Sequence, residues 1–224
     1  VPVVLLIRHG RTAANASATL AGRAPGVELD ETGEAQVRRL GERFAGLTPA
    51  RVVSSPLERC VGTAKAIADD VHTDERLLEC DYGAWTGRRL GELRRMALWK
   101  VVQEHPSGAT FPGGESMRSM QGRAVEAIRD HDAQVATGAG PNAVWVAVSH
   151  GDVIKSIVAD ALGLHLDQFQ RLVINPASIT AVSYTERRPF LLRLNDTGDD
   201  LRGLWPRRSR RAPSSDGIVG GGAG

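Results

Sequence analysis

Three short apolar runs interrupt a chain that otherwise alternates apolar and polar positions at helical spacing. They are "VVLLI" at 3–7, Arg51–Ser54, and "AVWVAVS" at Ala143–Ser149. Each is rich in β-branched residues and lacks a polar face, the pattern of a strand buried on both sides. Between them the period lengthens. Asp30 is placed to cap a helix over Glu31–Leu47, with Ala35, Leu40 and Phe44 on one side. Pro56 stands where a first turn tolerates it, and Leu57–Asp70 continues as helix. Glu92–His105 reads as one helix, "FPGGES" breaks the chain, and Ser116–Val135 is a long helix. Asp152–Leu162 follows the third strand and is stopped by Gly163. Ile179–Tyr184 and Phe190–Leu194 read as a pair of edge strands. Strand and helix alternate without an internal repeat, which predicts an α/β layer fold with a mainly parallel sheet.

Composition changes this picture at one end only. From Pro206 onward the chain is rich in Arg, Ser and Gly with little to bury, so residues 1–205 are expected as one domain and 206–224 as a flexible tail. The formal net charge is +2, but Arg207, Arg208, Arg210 and Arg211 against Asp216 give the tail +3 and leave the body at −1. Nothing here suggests a nucleic-acid binder built on the whole domain. The "RRSRR" stretch is expected as a solubilising end, the alternative being a contact for acidic lipid, nucleic acid or a partner. Cys60 and Cys80 are expected as reduced core fillers, and the opening apolar run is too short to span a membrane. With no basic leader ahead of it, a cytoplasmic protein is expected.

Candidate chemistry gathers at the strand ends. In open parallel sheets ligands bind outside the carboxyl ends of the strands. The first run ends Arg8–His9–Gly10, the second leads through "SSPLERC" to Arg59, and the third ends His150–Gly151–Asp152. Side by side, these ends would put two histidines and two arginines in one crevice. The composition suits a phosphate. Guanidinium forks match phosphoryl oxygens, Gly10 and Gly151 allow close backbone approach, and a helix starting near Asp152 aims N–H groups at the same anion. Cationic neighbours would keep one histidine neutral and able to attack phosphorus. In "LLECDYGAWTG", Glu79 is a candidate proton donor, with Asp81 as its nearest competitor.

"RHGRTAAN", "SSPLERC", "ECDYGAWTG", "FPGGES" and "SHGD" occur in one order along the chain. In that ordered set the chain resembles the histidine phosphatase superfamily, in its phosphoglycerate-mutase-like branch. The resemblance implies a three-layer α/β/α sandwich. It implies His9 as the phosphorylated nucleophile, with Arg8, Arg59 and His150 as the rest of the phosphate pocket. Asn15 and the Gly151 N–H would be further phosphate contacts, Glu79 the proton donor, and Thr12, Gly22 and Arg23 the entrance. No metal or other cofactor is implied. The partner would be a small phosphorylated metabolite, and a homodimer stays open.

Three functions fit: a phosphomonoester phosphatase, a phosphoglycerate mutase, or an idle binding module on the same fold. The phosphatase is favoured. Mutases resembling this chain carry a lysine eleven residues after the glutamate, where Leu90 stands here. Arg88, Arg89, Arg94 and Arg95 are either a solvated face or a reader of a second anionic group on the substrate. Trp85 is expected in the core, and His72, His105, His131 and His165 at the surface or at helix ends.

Overall fold

The computed structural model describes residues 1–198, so the expected tail at 206–224 and its boundary lie outside the described residues. Its strands are β1 (Val3–Arg8), β2 (Val52–Ser54), β3 (His72–Thr73), β4 (Val144–Ser149), β5 (Ile179–Tyr184) and β6 (Pro189–Asp196). They form one sheet in the order β3-β2-β4-β1-β5-β6. β1, β2, β3 and β4 run parallel, while β5 is antiparallel to both β1 and β6.

The helices are α1 (Ala13–Ala16), α2 (Glu31–Arg43), α3 (Glu58–Lys65), α4 (Leu90–Leu93), α5 (Ala97–Glu104), α6 (Met117–Ala139) and α7 (Gly151–Ala161). Leu40 and Phe44 from α2 and its end, with Cys60 and Ala64 from α3, pack on Ile7, Val146 and Val148 on one sheet face. On the other face α6 and α7 bring Ala124, Ile128, Ile154 and Val158 against Val4, Leu6 and Ala147. These are the three layers implied by the resemblance. The chain therefore leaves β1 toward one face and leaves its parallel neighbour β4 toward the other. That reversal opens a crevice between the two strand ends, where α/β sheets bind ligands.

The elements depart from expectation at identifiable places. β5 is internal, because β6 covers its second side, and the other edge is the two-residue β3. The helix expected over Glu92–His105 is two helices, with Met96 extended at φ −86°, ψ 143°. Nothing in the sequence marks the break. It lets Leu93 and Val102 both be fully buried, and it stacks Trp99 on Trp85 at 6.2 Å between ring centroids. Helix propensity gives way here to tertiary packing. α2 closes at Arg43, short of Leu47, and Gly46 turns left-handed at φ +76°. α3 ends at Lys65, five residues before Asp70, and α6 runs past Val135 to Ala139, before Gly140 at φ +91°. Cys60 and Cys80 are free and buried, as expected of core fillers. Among the described residues no helix is long and apolar enough to cross a membrane.

Candidate active site

The parallel register sets Arg8 of β1 beside Ser149 of β4, and Val148 beside Ser54 of β2. The three strand ends thus lie side by side, and the residues following them meet in one cleft. Its lining includes His9, Thr12, Asn15, Gly22, Arg59, Glu79, Tyr82 and Leu90, around an empty volume of about 450 Å³.

His9 continues β1, its N–H donating to the Ser149 carbonyl at 3.0 Å. Its ring Nδ1 lies 2.7 Å from the Gly10 carbonyl. A carbonyl can only accept, so Nδ1 carries the proton and Nε2 keeps its lone pair. Burial, then the Arg59 and Arg8 charges, hold the imidazole well below its ordinary pKa, which keeps it neutral. The close approach permitted by Gly10 is to α2. A Cβ there would lie 2.9 Å from the Gly33 carbonyl and 2.8 Å from Val37.

Arg59 projects from the first turn of α3 and is buried. Its Nη2 donates to the Gly22 carbonyl at 2.7 Å and to His150 Nδ1 at 3.3 Å. Its Nη1 is buried without a hydrogen-bond partner among the described residues, a donor set beside the cleft. Gly22 can present its carbonyl this way because it is left-handed at φ +53° and tight against Tyr82 and Thr86. Thr12 and Asn15 cap α1 reciprocally. The Asn15 amide oxygen accepts from the Thr12 N–H at 3.1 Å and from its hydroxyl at 3.0 Å, so the Asn15 NH₂ is left as a donor at the cleft.

Arg8 and His150 lie behind this lining. Arg8 is fully buried, donates from Nη1 to the Ile174 carbonyl at 2.6 Å, and is lowered to about 10 by burial. His150 packs edge-on against His9, with ring centroids 5.3 Å apart. Because Nδ1 accepts from Arg59, Nε2 carries the proton and donates to Ser55 Oγ at 2.9 Å. Gly151 opens α7 next to it, where first-turn N–H groups have no intrahelical acceptor. Arg23 does not line the cleft. Its guanidinium is bound to the Glu79 carbonyl and to Glu115.

Glu79 is buried with its Oε1 accepting from the Cys80 N–H at 2.9 Å. Burial, then the nearby Asp152 carboxylate, push it up to about 7. Its competitor Asp81 is turned to a local duty, accepting from the Gly83 N–H at 3.0 Å. Sequence reasoning passed over the group beneath this carboxyl. Asp152 is fully buried, accepts from the Tyr82 hydroxyl at 3.1 Å, and lies 3.7 Å from Lys155 Nζ. "SHGD" and "ECDYG" contain Asp152 and Tyr82, but only the fold shows that they meet. Among the described residues no group of three or more His, Cys, Asp or Glu side chains is placed to hold a metal ion.

None of the four arginines at 88, 89, 94 and 95 lines the cleft; Arg88 reaches Glu92 at 3.7 Å, and the other three make no ion pair among the described residues. Trp85 is fully buried outside the lining, in the core. His72, His105 and His165 are exposed, whereas His131 is half-buried and bonded to Asp74 at 2.9 Å.

Known proteins are similar to this chain in sequence and in fold. A probable phosphoglycerate mutase GpmB of Salmonella choleraesuis is 33% identical over 190 residues, covering 82% of this chain and 85% of its own. A phosphoserine phosphatase from Entamoeba histolytica superposes with TM-score 0.79 at 26% identity, over 88% of this chain and 98% of its own. A mycobacterial glucosyl-3-phosphoglycerate phosphatase superposes with TM-score 0.77 at 25% identity, over 87% and 98%. The histidine phosphatase superfamily (branch 1) matches residues 4–197, and the chain belongs to that family.

Proposed function

We propose that the protein is a phosphomonoester phosphatase acting through a phosphohistidine on His9. One observation carries the reading: a neutral, buried imidazole with its Nε2 lone pair held open shares a cleft with a carboxyl pushed up to about 7. The first is a nucleophile near neutral pH and the second an acid that still holds its proton.

His9 Nε2 attacks phosphorus as the bond from phosphorus to the ester oxygen breaks. The Glu79 proton passes to that oxygen, and the alcohol leaves. Water then attacks the phosphohistidine and gives one proton to the Glu79 carboxylate. The N–P bond breaks, releasing inorganic phosphate and restoring both side chains. Arg59 Nη1 and the Asn15 NH₂ supply donors to the phosphoryl oxygens, with Arg8, His150 and the start of α7 adding charge and dipole from behind.

A mutase would share the first half of this chemistry, and the curated relatives carry that name. The cleft favours hydrolysis. A mutase must hold a carboxylated intermediate while it turns, and Leu90 lines the cleft where mutases of this branch place a lysine. A small phosphorylated metabolite is the expected substrate, as in the solved relatives named for phosphoserine and glucosyl-3-phosphoglycerate. The test runs phosphate release from simple esters beside a coupled assay with 3-phosphoglycerate and catalytic 2,3-bisphosphoglycerate. Hydrolysis should dominate. Efficient interconversion with negligible hydrolysis reverses the assignment.

A further inference from the structure

The "ECDYG" and "FPGGES" turns are joined backbone to backbone. Ala84 N–H donates to the Pro112 carbonyl and Glu115 N–H to the Asp81 carbonyl, each at 2.9 Å. At the centre of the junction is the Glu115 carboxylate. Its Oε1 accepts from Arg23 Nη2 at 2.8 Å, from the Asp81 N–H at 2.9 Å and from Arg123 Nη2 at 2.5 Å. Its Oε2 accepts from Arg123 Nε at 3.0 Å. Burial opposes this charge, but the Arg123 and Asp81 hydrogen bonds prevail and hold Glu115 below the usual carboxylate range.

Both arginines then reach one further atom, the main-chain carbonyl of Glu79. Arg23 Nε donates to it at 2.8 Å and Arg123 Nη2 at 3.1 Å. Arg123 Nη1 also donates to the Arg76 and Leu78 carbonyls, each at 2.7 Å. Three contacts along 76–79, to the carbonyls of Arg76, Leu78 and Glu79, thus come from one guanidinium on α6. With Oε1 of Glu79 bound to the next N–H, the carboxyl has little freedom left.

We infer that Glu115, Arg123 and Arg23 are positioning residues that fix the Glu79 carboxyl at the leaving-group side of the cleft. The inference rests on the reading of Glu79 as proton donor. A basic leaving oxygen needs a well-placed proton, whereas an activated phenolate does not. Positioning therefore has a signature that general loss of stability lacks.

The test measures kcat/KM, which reports phosphoryl transfer to His9 and not the later hydrolysis in which Glu79 is the base, on a series from dinitrophenyl phosphate to alkyl phosphates, using the full chain with its melting temperature recorded. Glu79→Gln should lose about 10²-fold or more on alkyl esters and little on the activated ester. Glu115→Gln and Arg123→Gln should show the same slant, about tenfold on alkyl esters and under about twofold on the activated one. Arg123→Lys should recover part of the loss, because it keeps the charge but not the fork. If Arg123→Gln does not fold, the half-exposed Arg23→Gln decides instead. Equal losses along the series, or none, overturn the clamp while leaving Glu79 in its role. A Glu79→Gln enzyme without the slant overturns the proton-donor reading and the clamp's purpose with it.

Discussion

Burial acts on His9 and Glu79 in opposite directions. It lowers the imidazole and raises the carboxyl, so just below pH 7 the imidazole is neutral while much of the carboxyl still holds its proton. The pH dependence follows with its sign. Glu79 holds its proton below about 7 and loses it above. On an alkyl phosphate, kcat/KM should fall roughly tenfold per pH unit on the alkaline side, and that limb should vanish in Glu79→Gln. A limb unchanged by the substitution would place the titrating group elsewhere. Much of this residue scale was legible. His9, Thr12, Asn15, Gly22, Arg59 and Glu79 were all named from motif order, and all line the cleft. Arg23 was read as an entrance residue because sequence gives a side chain's neighbourhood but not its aim. Its target is a main-chain carbonyl, and where a carbonyl points depends on loop shape.

Elements that follow hydrophobic period were legible; those set by contact between loops were not. β1, β2, β4 and α7 fall within a residue or so of expectation because burial dictates their composition. The break between α4 and α5 and the internal place of β5 depend on partners far along the chain. In the sequence "FPGGES" is a break and one of the ordered motifs, with no sign that it is the seat of the loop that bears Glu79. A Cβ on Gly114 would lie 2.2 Å from the Asp81 carbonyl, with no side chain able to move aside. Gly114→Ala should therefore cost about 1–3 kcal/mol. In a chain of this size that lowers Tm by about 2–4 °C per kcal/mol. Gly122→Ala is the matched control. Its Cβ meets nothing within 4 Å, and alanine suits the interior of α6, so Tm should hold or rise. Equal melting temperatures for the two variants would show that the turns are not rigidly seated.

At the scale of the molecule, the fold makes the site by sending α2 and α7 to opposite faces of the sheet. The ends of β1 and β4 are left open to each other, with β2 supplying Arg59 through α3. Sequence showed which residues stand at strand ends, and the strand order β2-β4-β1 turns that into adjacency. Family membership extends over residues 4–197 and fixes the architecture, while the relatives it brings include both mutases and phosphatases. The proposed mechanism carries the phosphoryl group on His9, so the central claim is tested there. A rapidly quenched reaction with a phosphate-labelled ester should leave label on His9, stable in alkali and lost in acid, and absent from His9→Ala. Label recovered on a serine, a cysteine or His150, or turnover surviving in His9→Ala, would contradict the account.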